Sequence, residues 1–290
     1  MLYFVFCTGF FLIKIFPLKV CYGVAEVVAR LYYIFASKDK EALRENLRVV
    51  LGEDVSPVEI DAHVLGVFRN FGKYLADFFK FSRLREEYIL EHIEIKGLNY
   101  LDKYLSQGKG AIIAAVHLGN WELGAAVVGV MGYPFNAIVL QHKDRRINDL
   151  FVRQRCANNI KIIHLGMQLK QCFKVLKSNE LLAVAADKDY TGNNECVNFF
   201  GRKAFLPKGA AVLSLRTGAP IIACSLVRNK DNTFKMVFEE PVKHERTGDD
   251  EKDMKAIMEG YLTVFEKHIR EYPDQWYVFE KIWEQELIIR

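Results

Sequence analysis

A histidine followed five positions later by a glutamate, in the string His117-Leu118-Gly119-Asn120-Trp121-Glu122, is the pair in this sequence best suited to moving a proton. Imidazole has the ordinary pKa nearest neutrality. It can take a proton from a hydroxyl, and a carboxylate on its other nitrogen fixes the tautomer and stabilises the imidazolium. A tight turn through Gly119-Asn120 would let Glu122 fold back onto His117 as a helix begins, giving the base and orienting members of a triad. The protein nucleophile of such a triad is missing: there is no G-x-S-x-G elbow, and none of the 6 cysteines has an activating neighbourhood. A substrate hydroxyl can supply it instead. This points to direct acyl transfer, in which an alcohol attacks a thioester while the protein provides base, orientation and oxyanion donors, with backbone N–H groups around 119–121 as candidates. One histidine with one glutamate is too small a ligand set for a metal, HExxH is absent and no CxxC pair occurs, so neither metal nor cofactor is expected.

The elements that must position this pair follow from apolar patterning. The run 110–116 reads as a buried strand that delivers His117 into the turn before a helix, where the carboxyl ends of strands in an open α/β sheet face ligand. Further strands are expected at 137–140, 161–163, 181–186, 221–227 and 234–238. Helices are expected between them at 97–107, 121–131, 146–157, 168–178 and 208–217, and a last amphipathic helix at 250–271 ends before Pro273. Alternation of this kind predicts an α/β fold: a layered, largely parallel sheet with flanking helices.

Residues 1–81 read as helices. The segment 2–13 carries no charge, and Lys14 and Pro17 interrupt it before it reaches the roughly 20 apolar residues of a spanning helix. With basic residues after the apolar run and no cleavage site, it is expected to be an uncleaved membrane-seeking anchor that dips into or lies along the bilayer, Lys14 and Lys19 reaching anionic headgroups. The division expected is residues 1–36 as anchor and 37–290 as catalytic domain. Ser56-Pro57-Val58-Glu59 is a well-specified helix start, with a capping serine, proline in the first turn and a capping-box glutamate.

Composition bounds the function. The 290 residues are 51% hydrophobic and 26% charged, which excludes disordered and collagenous classes. A net charge of +4 is too small for a dedicated nucleic-acid binder. Positive charge is local: residues 143–177 hold Lys143, Arg145, Arg146, Arg153, Arg155, Lys161, Lys170, Lys174 and Lys177 against Asp144 and Asp149. A cationic surface of this kind suits anionic substrates, and no aromatics interleave it as base-stacking platforms would.

The string HLGNWE after a hydrophobic strand resembles the bacterial lipid A biosynthesis acyltransferases, relatives of the lysophospholipid acyltransferases, whose signature is H-x-x-x-x-D/E. The likeness runs along nearly the whole chain: Phe16-Pro17-Leu18, Arg44-Glu45-Asn46-Leu47, a central arginine, Asp187, Phe199-Phe200-Gly201, Thr217-Gly218-Ala219-Pro220 and Pro273-Asp274-Gln275-Trp276. The resemblance implies a membrane-associated enzyme on the cytoplasmic face of a bacterial inner membrane. Such an enzyme moves a fatty acyl chain from acyl carrier protein, or acyl-CoA, to a hydroxyl of a lipid A precursor. His117 and Glu122 would be catalytic, and Arg155, Asn120 and Asp187 are the substrate-binding candidates. Asn159 stands where the family usually has glycine, and Lys188 where it has an amide. The alternatives are acylation of another glycolipid or lysophospholipid, and a noncatalytic lipid-binding relative.

Overall fold

The computed structural model describes residues 2–165, 169–188, 190 and 192–283. The chain opens with α1 (Leu2–Ile15), α2 (Leu18–Phe35), α3 (Ser37–Leu51) and α4 (Pro57–Lys80), so the helical start expected from sequence is present. Pro17 breaks α1 from α2, and Lys80 donates to the carbonyls of Ile13 (3.0 Å) and Phe16 (2.9 Å), satisfying acceptors that the end of α1 leaves unpaired. Ser56 caps α4, its Oγ accepting from the Glu59 N–H at 3.2 Å. α2 lies along α4 through buried Cys21, Tyr22 and Ala29, and the helices approach closely at Gly72, where an added Cβ would sit 3.0 Å from the Ala25 carbonyl oxygen. The opposite side of these helices is apolar and solvent-facing: Phe11, Ile15, Val24, Val28, Ile34 and Phe35 are all exposed. Among the described residues, no single helix is long and apolar enough to cross a membrane.

After α5 (Glu86–His92) the chain alternates: β1 (Ile93–Lys96), α6 (Asn99–Ser106), β2 (Ala111–Gly119), α7 (Trp121–Val130), β3 (Phe135–Val139), α8 (Arg145–Cys156), β4 (Lys161–His164), α9 (Leu169–Lys177) and β5 (Leu181–Ala185). The hairpin β6 (Asn194–Phe199) and β7 (Arg202–Pro207) follows, then α10 (Gly209–Thr217), β8 (Ile221–Arg228), β9 (Phe234–Phe238) and α11 (Asp250–Glu271). Seven strands form one sheet in the order β1-β9-β8-β2-β5-β3-β4, parallel throughout except for β8 against β9. The α/β architecture and largely parallel order therefore agree with expectation.

The departures are α5, β1 and the β6–β7 hairpin. β1 was not anticipated, because Ile93-Glu94-Ile95-Lys96 alternates its two apolar residues with charges and shows no apolar run. The segment around Phe199-Phe200-Gly201, for which no strand was expected, is a tight hairpin in which Phe200 (φ +53°) and Gly201 (φ +75°) are the two turn residues. Positive φ at both positions is the type I′ geometry that matches strand twist, normally signalled by Asn-Gly. Phenylalanine accepts that strain because its ring is buried against Phe199 and Trp276. These rings belong to the core.

Two buried polar clusters tie the layers together. Ser225 of β8 bonds His268 of α11 (Oγ to Nδ1, 2.8 Å), whose Nε2 meets Glu239 at 2.7 Å. The series has the residue types of a hydrolase triad, but Ser225 and His268 are 6% and 7% exposed, so it fastens a helix to the sheet and presents no nucleophile. In the second, the Asp77 carboxylate of α4 pairs with Arg228 of β8, and Arg228 donates to the Tyr22 hydroxyl of α2 at 3.0 Å. Asn120 Nδ2 also donates to Asp77, at 2.8 Å. Breaking a buried ion pair from one side strands the remaining charge. Arg228→Leu should cost about 3–5 kcal/mol in urea unfolding, and adding Asp77→Asn to it should recover part of that loss.

Candidate active site

β2 and β5 are neighbours, and their carboxyl ends bring His117 and Asp187 together. The end of β2 is irregular: Ala115 faces Cys224 and Gly119 faces Leu226, so four steps along β2 span two along β8. A bulge of this kind re-aims side chains beside functional sites. It is held by Gly119, with φ +65°, where a Cβ would lie 2.0 Å from the Leu226 carbonyl oxygen. Asn120 follows with its N–H donating to that oxygen at 2.7 Å, so it is engaged with the sheet and unavailable as an oxyanion donor.

The carboxylate on the imidazole is Asp187. Its Oδ1 lies 2.7 Å from His117 Nδ1, and its Oδ2 accepts from the His117 backbone N–H at 3.0 Å and from Trp276 Nε1 at 3.1 Å. Burial alone would raise the Asp187 carboxyl above its ordinary 3.8, but the attraction of His117 and these hydrogen bonds outweigh it and hold the group below that value. An ionised acceptor assigns the proton to Nδ1, so Nδ1–H donates and Nε2 presents its lone pair. Nε2 makes no hydrogen bond with a described residue, and the side chain is 15% exposed. The ring stands edge-on to Trp121 at 4.9 Å between centroids, and Trp121 stacks on Tyr74 at 4.4 Å.

Glu122 does not hold His117, contrary to the expectation from spacing. It faces Arg155 of α8, which donates Nη2 to Oε1 at 2.6 Å and Nε to Oε2 at 3.1 Å, a bidentate pair with both side chains about nine-tenths buried. Glu122 lies in the first turn of α7, and the helix carries it toward α8. Arg155 is correspondingly spent on Glu122. A cavity of about 20 Å³ adjoins the pair, lined also by Asp77, Gln154 and Asn158, with room for a water but not for an acyl chain.

The other two substrate-binding candidates are engaged as well. Asn120 is buried, with Oδ1 accepting from the Leu123 N–H at 3.0 Å as the cap of α7 and Nδ2 donating to Asp77, so its side chain has a structural task. Asp187 is fully buried behind His117 and cannot reach a ligand. Lys188 pairs with Glu280 at 3.0 Å beside the Tyr190 ring.

A profile of the bacterial lipid A biosynthesis acyltransferases matches residues 1–285. The chain belongs to that family. It is 25% identical to a phosphatidylinositol mannoside acyltransferase of Mycolicibacterium smegmatis over 96% of this chain and 90% of that protein. It is 25% identical to the Mycobacterium tuberculosis protein of the same name over 84% and 77%. The lipid A biosynthesis palmitoleoyltransferase of Escherichia coli is 26% identical over 83% and 78%.

Several family-like strings acquire physical roles here. Gln275 exchanges two hydrogen bonds of 2.8 Å with the Arg228 backbone, while Trp276 holds Asp187. Asn46 ties α3 to the last described segment through the carbonyls of Val278 (3.1 Å) and Glu280 (2.8 Å). Asp77 and Arg228 were missed by sequence reasoning, since one sits in an amphipathic helix and the other ends a strand, with no local motif around either. In this acyltransferase the Asp187 carboxylate is stabilising where it is ionised, above 3.8, and that contribution is lost as pH falls below 3.8 toward its lowered folded value. The stability gap between the parent and Asp187→Asn should therefore be wide at pH 5 and shrink toward pH 3, as read by urea unfolding. Glu122→Gln and Arg155→Gln should be strongly non-additive in stability, with a coupling of about 1–3 kcal/mol in a double-mutant cycle.

Proposed function

We propose that this acyltransferase moves a fatty acyl chain from acyl carrier protein or acyl-CoA to a hydroxyl of a lipid A precursor. His117 is the general base. One observation carries the mechanism: the Asp187–His117 hydrogen bond, which commits Nδ1 and leaves Nε2 as the proton acceptor. The acceptor hydroxyl gives its proton to Nε2 as its oxygen attacks the thioester carbonyl, and the imidazolium returns that proton to the departing thiolate. Asp187 positions the ring and stabilises its charged form, while Glu122 holds Arg155 through a bidentate pair. No covalent acyl-enzyme is needed.

The exposed apolar side of α1 and α2 supports membrane residence, because contiguous apolar surface on this scale seeks lipid or a partner, and the family likeness favours the cytoplasmic face of a bacterial inner membrane. A second acceptor reading, a phosphatidylinositol mannoside, is favoured by the mannoside acyltransferase likeness that spans 96% of the chain. The deciding experiment offers purified protein lipid A precursors, phosphatidylinositol mannosides and lysophospholipids with either donor, and weighs the products by mass spectrometry. Transfer should be seen to one glycolipid class. His117→Ala should abolish it with folding intact, and Asp187→Asn should lower kcat by about 10²–10⁴-fold. Unchanged transfer by His117→Ala would overturn the general-base assignment.

A further inference from the structure

We propose that the open cleft beyond the carboxyl ends of β3 and β4 binds a phosphoester group carried by one of the two transfer substrates, an inference that rests on the acyltransferase reading above. The cleft holds about 700 Å³, a volume typical of small-molecule sites. Gln141, His142, Lys143, Arg145, Asn148 and His164 line it, drawn from the loop after β3, the start of α8 and the end of β4. Neighbouring cations are neutralised: Arg146 by Asp144, Arg155 by Glu122 and Lys161 by Glu180. Lys143 and Arg145 are exposed and form no ion pair with a described residue. Asp149 is the one carboxylate among the lining residues, so the two cations exceed it. His164 Nδ1 is buried with no hydrogen-bond partner among the described residues.

Position links the cleft to the chemistry. In the sheet order β2-β5-β3-β4, parallel strands spaced about 4.8 Å apart place it on the same edge as His117, some two to three strand spacings away. The His142 ring packs on Phe151 at 4.5 Å, and the Arg155 guanidinium lies 5.7 Å from that same ring, so the cleft adjoins the Glu122–Arg155 pair. Burial and then the Arg155 charge lower the His142 pKa from its ordinary 6.5, which favours the neutral ring as a hydrogen-bonding group. Arginine and lysine together with such donors match tetrahedral phosphate oxygens.

The test compares the parent with the Lys143→Gln/Arg145→Gln variant, whose changes are at exposed positions. Calorimetry with a hexose 1-phosphate and the free hexose decides the cleft. The phosphorylated probe should bind the parent and weaken at least tenfold in the variant, with no such change for the free sugar; equal binding of both probes, or an unaltered variant, overturns the proposal. Kinetics then identifies the source. A tenfold rise in KM for acyl-CoA but not for acyl-N-acetylcysteamine, with kcat within threefold, assigns the phosphoester to the donor. The same split between a phosphorylated acceptor and its dephosphorylated form assigns it to the acceptor, and KM rises that ignore phosphate overturn the proposal. Absence of any transfer by the parent counts against the acyltransferase reading alone and leaves calorimetry to judge the cleft.

Discussion

A carboxylate removed from water must have its lone pairs filled by the protein, and Asp187 is held to that requirement at the centre of this molecule. Its donors are the His117 ring, the His117 backbone and the Trp276 indole, which come from β2 and from the C-terminal segment, while the carboxylate itself extends from β5. Three distant stretches are thus fixed relative to one another by one buried charge. The imidazole has its tautomer and direction set as a by-product of satisfying that charge.

Asp77 plays the matching role on the other side of the turn. Through Asn120 it fixes the cap of α7, through Arg228 it grips β8, and through Tyr22 it joins helix α2 to the same cluster. The turn between His117 and Glu122 is therefore clamped between two buried acids. Rotation of either flanking element would unpair a charge, so the base stands on a rigid support.

Much of this fold was legible because strands and helices here are long enough to show their periods, and α11 was located to the residue. The family signature was legible for the same reason: HLGNWE is a contiguous string. Pairings across the sheet were not. His117 and Asp187 are 70 positions apart, and only the adjacency of β2 and β5 makes them partners; Glu122, the nearer carboxylate in sequence, belongs to an arginine 33 positions away. Local spacing shows which groups could meet, but strand order decides which do. The β6–β7 hairpin escaped notice because its turn residues, phenylalanine and glycine, carry the marks of a core contact rather than of a bend.

That turn has a practical consequence for anyone engineering the protein. Hairpin tips ordinarily accept tags, fluorescent inserts and new chain ends because they point into solvent. Here one of the two turn residues is buried, Phe200 lying beneath the Arg270 guanidinium and beside Trp276, the residue that steadies Asp187. A graft at this bend would push on an indole one hydrogen bond from the buried acid behind the imidazole. The site that looks most permissive in outline is among the least suitable for insertion.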